Sequence, residues 1–130
     1  VLTTNERHEA LQAAWESCRD RWPIGYDEFA QAMQGWSVEP VRVDGRIVGA
    51  MLMRGAEIHV GVKDDGKRKW ATRRFLRATL GKTVRAHGRA VTAVMHDNER
   101  GQAFVQRLGF VPVGTLPKAI LFEYRGHRYV

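Results

Sequence analysis

Cys18 is the only cysteine in the chain. An intramolecular disulfide is therefore impossible, and a cysteine-rich zinc site is excluded. A reducing, cytoplasmic setting is the default for such a sequence. No apolar run approaches the roughly 18–20 residues that span a bilayer, so no membrane partner is expected. The first 20 residues carry Glu6, Glu9, Glu16 and Asp20 in place of an apolar core, and no secretory signal is read there. Repeats, low-complexity stretches and interdomain linkers are also missing. With 130 residues and 44% apolar content, the chain fits one globular domain, 1–130.

Acid is scarce in one place. Between Lys63 and Arg89 there are ten Lys or Arg against only Asp64 and Asp65, or 10 − 2 = +8. The whole chain is 21 − 14 = +7, so the remainder nets to −1. A concentrated positive charge fits an anionic partner, phosphate or nucleic acid. It fits a solvated surface equally well.

Thr3-x-x-Glu6 is a capping-box pattern, and His8, Leu11, Trp15, Cys18 and Trp22 then recur at helical spacing. This predicts a helix from about Asn5 to Arg21, stopped by Pro23. A second helix is predicted from Tyr26 to about Gln34, ended by Gly35. Val38 to Val43 and Arg46 to Met53 read as strands around Asp44-Gly45, a strong hairpin signal because both residues tolerate positive φ. Arg54-Gly55 turns the chain into a third strand, Ala56 to Val62. There Ile58, Val60 and Val62 point one way, and Glu57, His59 and Gly61 the other.

A basic turn follows, then a long helix from about Lys69 to His87 with Thr72, Leu76, Leu80, Thr83 and Val84 inward and Gly88 past its end. Ala90 to Met95 reads as a buried strand, Asn98 to Leu108 as a helix closed by Gly109, and Phe110 to Val113 as a strand. Ile120 to Tyr124 and His127 to Val130 would form a last hairpin around Arg125-Gly126. The order ααβββαβαββ describes an α+β fold, a mixed and mostly antiparallel sheet with helices on both faces. Where the third strand gives way to the long helix, Lys67, Arg68 and Lys69 surround backbone amides with no partner inside the helix. That arrangement suits a phosphate, and a solvated basic turn fits it equally well.

From Val38 to Phe110 the chain resembles the GNAT family, the GCN5-related N-acetyltransferases. The hairpin V-D-G-R-I-V-G-A-M-L at 43–52 and the strand–turn–helix after it carry part of the likeness. The run N-E-R-G-Q-A-F-V-Q-R-L-G-F at 98–110 carries the rest. The resemblance implies acetyl-CoA as co-substrate and an amine acceptor, on a small molecule or a protein. It implies a pyrophosphate loop on Lys67, Arg68, Lys69, Trp70, Ala71 and Thr72, with Trp70 and Thr72 where the family has glycines. The strand ending at Val62 would pair with the pantetheine arm, and Asn98 would help hold the coenzyme. The family's frequent Tyr acid falls on Val105, which carries no proton. Glu57 or His59 would act as base, with His96 and Asp97 as further candidates.

The glycine-poor loop and the missing Tyr are also similar to divergent GNAT-like proteins of phages and prophages. Three readings follow: an N-acetyltransferase; a non-catalytic GNAT-like protein, virion-associated in the phage case; and a nucleic-acid binder using the basic helix. Family members commonly form homodimers, and Phe122 and Tyr124 are candidates for such a contact or for the core.

Overall fold

The computed structural model describes residues 2–66 and 69–130, without the side chain of Asp65. Helices α1 (Thr4–Cys18) and α2 (Tyr26–Ala32) precede strands β1 (Ser37–Val43), β2 (Arg46–Arg54) and β3 (Glu57–Val62). After a short 3-10 turn, Asp64–Gly66, the chain coils through α3 (Arg73–Leu76), a π-helical turn (Arg77–Gly81) and α4 (Lys82–His87). Strand β4 (Ala90–Met95), helix α5 (Glu99–Leu108) and strands β5 (Val111–Thr115) and β6 (Ala119–Tyr124) complete it. The six strands form one sheet in the order β1-β2-β3-β4-β6-β5. The β1–β2, β4–β6 and β5–β6 pairs are antiparallel, and β3 runs parallel to β4. The fold is thus α+β with a mostly antiparallel sheet, as the sequence predicts. Among the described residues, no helix is long and apolar enough to cross a membrane.

The chain divides into two compact units, Val1–Arg54 with Val60–Phe75 and Gly55–His59 with Leu76–Val130. In the first, the capping box forms as read. Thr3 Oγ1 accepts the Glu6 N–H at 3.0 Å, and the Glu6 carboxylate accepts the Thr3 N–H at 3.2 Å. The buried face of α1 is built from Ala10, Leu11, Ala13 and Ala14. The sequence reading placed Trp22 on that face; instead the helix stops at Cys18 and Trp22 is 43% exposed. Small residues win because the helix lies close to the sheet: a Cβ at Gly61 would sit 3.0 Å from the Ala14 carbonyl oxygen. Leu11, Phe29, Trp36, Val38, Ile47 and Leu52 pack around these alanines. Fully burying one such Leu or Ile contributes about 1.5–3 kcal/mol.

Asp44 and Gly45 both take positive φ, 52° and 78°, as the hairpin signal requires. Strand β2 is buried from Ile47 to Leu52. Gly49 faces the β3 backbone, and a Cβ there would lie 2.1 Å from the Gly61 oxygen. The expected inward row of β3 is interrupted: Ile58 and Val62 are buried, but Val60 is 37% exposed.

In the second unit, β6 lies between β4 and β5, paired along its length with both. This overturns the hairpin read between Ile120–Tyr124 and His127–Val130. With partners on both sides, β6 has no edge left for a further strand. Phe122 and Tyr124 are each 2% exposed, which makes them core rather than contact surface. Tyr124 stacks between Phe110 and Tyr129, with ring centroids at 5.4 and 6.3 Å. Leu76, Thr79, Leu80, Thr83 and Val84 are buried, and Thr83 Oγ1 donates to the Thr79 carbonyl at 3.0 Å. Gly88 is left-handed, as read.

Candidate functional site

The alternation of β3 sends Glu57 and His59 to the same side, and the structure brings these two candidate bases together. His59 Nε2 lies 2.6 Å from Glu57 Oε2. The other ring nitrogen, Nδ1, is 3.4 Å from Thr92 Oγ1 on β4. Neither side chain of the pair is fully buried: His59 is 33% and Glu57 40% exposed. Thr92 is 8% exposed. The parallel β3–β4 ladder registers at Glu57 opposite Val91, and the Val91 N–H donates to the Ala56 carbonyl at 2.8 Å. This pairing carries Thr92 up to the imidazole.

The chemistry of the trio follows from its donors. An ionised carboxylate only accepts, so it takes the Nε2 proton and leaves the lone pair on Nδ1. A second proton arriving at Nδ1 would make an imidazolium already facing a carboxylate. The arrangement is therefore suited to removing a proton from a substrate. Thr92 was not singled out in the sequence. No motif marks it, and only the register of two strands distant in sequence places it.

The predicted coenzyme loop lies in the other unit. Lys67 and Arg68 lie outside the described residues. Lys69 is exposed, its Nζ 3.9 Å from Asp44 Oδ2. Trp70 is 6% exposed and meets the Phe75 ring edge-on at 6.0 Å. Ala71 is half-buried and Val62 buried.

Thr72, read as an inward helix residue, is exposed and caps the helix instead, because its hydroxyl accepts the Phe75 N–H at 3.1 Å. The helix accordingly begins at Arg73 rather than Lys69. Two more loop amides are engaged within the loop: Lys69 N–H donates to Gly66 O at 3.2 Å and Thr72 N–H to Trp70 O at 2.9 Å.

Asn98 is the N-cap of α5, its Oδ1 accepting the Gly101 N–H at 3.0 Å. The turn before it is held by Gln102, whose amide donates to the carbonyls of Met95 and His96 at 2.9 and 3.0 Å. His96 Nε2 donates to the Leu116 carbonyl at 2.9 Å, and Asp97 is exposed. Val105 is buried at 9% exposure on α5. Glu57 and His59 are thus candidate bases whose side chains the structure joins directly. Among the described residues there is no cluster of three or more His, Cys, Asp or Glu able to hold a metal ion.

No protein-family model matches the chain, and no curated protein matches its sequence. Solved structures do match its fold. The ribosomal-protein-alanine N-acetyltransferase of Brucella melitensis superposes with a TM-score of 0.72 at 15% identity, over 95% of this chain and 97% of that one. The ribosomal-protein-S18-alanine N-acetyltransferase of Escherichia coli gives 0.65 at 19% identity, over 94% and 88%. A Bacillus subtilis acetyltransferase in complex with CoA gives 0.63 at 10% identity, over 93% and 91%.

Proposed function

We propose that this chain, whose fold is that of the GNAT N-acetyltransferases, transfers an acetyl group from acetyl-CoA to an amine on a protein or a small molecule. The observation that carries the reading is the Glu57–His59–Thr92 chain of contacts, two of whose members were candidates from the sequence. In this reading His59 Nδ1 takes the proton of the attacking ammonium and Glu57 steadies the resulting imidazolium. The nitrogen bonds to the acetyl carbonyl carbon, the carbon–sulfur bond breaks, and the second proton shed by the acylated nitrogen passes through water to the leaving thiolate, since Val105 has none to give. The coenzyme's phosphates would lie near Lys69, and its pantetheine arm would run along the end of β3 at Val62.

The test is release of CoA thiol from acetyl-CoA by the purified chain with a panel of amines. His59→Ala is expected to lower kcat/KM by about 10²-fold or more, the range for loss of a positioned base. The KM for acetyl-CoA should stay unchanged. An alanine variant with wild-type kcat/KM would remove His59 from the reaction.

A second reading, a non-catalytic protein of the same fold, is favoured by one observation: Trp70 is buried, and two loop amides and the Phe75 amide of α3 already have partners inside the chain. Trp70→Gly separates the two readings in an acetyl-CoA titration. Tighter binding by the variant means that the indole blocks the phosphate cradle; equal or weaker binding excludes the block.

A further inference from the structure

The unit formed by Gly55–His59 and Leu76–Val130 carries nine Lys or Arg against four Asp or Glu, or 9 − 4 = +5. Seven of the nine are arginine. Six of them, all but Arg100, fall into two groups by how they are held. Arg89 and Arg125 share the Glu123 carboxylate, at 2.9 and 2.5 Å. Arg77, Arg85, Arg107 and Arg128 are all exposed and, among the described residues, have no acidic partner within 4.0 Å.

Backbone carbonyls hold two of this second group, Arg85 and Arg128. Arg85 Nη2 donates to the Arg77 carbonyl at 3.3 Å, and Arg128 Nη1 donates to the Arg107 carbonyl at 3.2 Å. Arg85 and the carbonyl of Tyr129, the residue after Arg128, both lie beside Gly81. A Cβ there would lie 1.9 Å from the Tyr129 carbonyl oxygen and 3.1 Å from Arg85 Nη1. In a regular α-helix, residues eight apart are about 80° out of line. The wider π turn Arg77–Gly81 takes up that difference, so that Arg85 reaches back over Arg77.

A guanidinium tied by one N–H to a carbonyl keeps its remaining donors for an external anion. The planar fork fits a phosphate oxygen pair. No acidic residue occurs between Asp65 and Asp97 to oppose such a ligand. The Tyr and Phe rings beside the band are covered: Tyr129 is 8% exposed beneath Arg128, and Arg107 lies over Phe104 at 5.9 Å. That combination fits a regular array of phosphates and not exposed bases. We propose that this arginine band binds the phosphodiester backbone of a nucleic-acid duplex without reading its sequence.

The experiment is fluorescence anisotropy of the full chain, without coenzyme, on labelled RNA and DNA duplexes of about 20 base pairs over a salt series. Its outcome is therefore independent of acetyl transfer. Binding is expected to fall with salt at a log–log slope of about −3 to −4, as for four phosphates neutralised. Arg77→Gln and Arg128→Gln should each reduce that slope by about one, while Arg21→Gln, on the other unit, should not. The Arg77 side chain makes no hydrogen bond or ion pair with another described residue, so its variant should melt as the parent does and report charge alone. Preference for RNA or equal affinity for both duplexes would each support the proposal. Absence of binding at about 50 mM salt, slopes unchanged in both variants, or displacement of the duplex by poly-glutamate at equal charge concentration would overturn it. The last result would assign the band to an acidic protein.

Discussion

Glu6 closes the capping box of α1 and also pairs with Arg42 of β1. Its carboxyl is held below its usual value of 4.5, first by the Thr3 backbone N–H and then by Arg42. A depressed folded-state value gives stability that is present at neutral pH and is lost as pH falls through that value. Glu6→Gln keeps a side chain able to complete the box but removes the charge opposite Arg42. The variant is therefore expected to melt below the parent at pH 7, with the gap closing in acid. Thermal melts across a pH series check this; a gap of constant size would show that the charge is not its source. The same scale separates what could be read from what could not. Thr3 and Glu6 announce themselves by spacing; Glu57 and His59 are candidates through the family resemblance, and strand alternation puts them on one side. Thr92 is one more buried threonine until β4 is set beside β3.

The long helical segment teaches a related lesson at the level of elements. Its inward leucines and its Gly88 terminus are local signals and were legible. Its π turn was not, and neither was the packing at its end, where the Tyr129 carbonyl, about fifty residues downstream in sequence, occupies the space beside Gly81. The C-terminal residues were misread for the matching reason. The Arg125-Gly126 turn suggested a hairpin, but β6 is already paired on both sides, and the buried Tyr129 ring lies against Tyr124 instead. Gly81→Ala forces a methyl into backbone and should cost roughly 1–3 kcal/mol, the usual range for overpacking. Urea unfolding with an unchanged m-value would report it. A loss under about 0.5 kcal/mol, ordinary for surface changes, would mean that the tail is not seated there.

At the scale of the whole chain, turn chemistry and strand spacing gave the order of elements. The fold shared with the N-acetyltransferases of Brucella melitensis and Escherichia coli agrees with that order at 15% and 19% identity. The loop before the long helix was the least legible part. Its cations are plain in the sequence, whereas the burial of Trp70 and the capping by Thr72 depend on packing within the folded unit.

The central claim is that this fold accepts acetyl-CoA, and calorimetric melting of the intact chain with and without the coenzyme tests it most directly. A ligand at one hundred times its Kd adds about 2.7 kcal/mol to stability, which for a chain of this size is a Tm rise on the order of 10 °C. The account predicts such a rise, saturating with acetyl-CoA. A cooperative melt that does not move at millimolar coenzyme would contradict it.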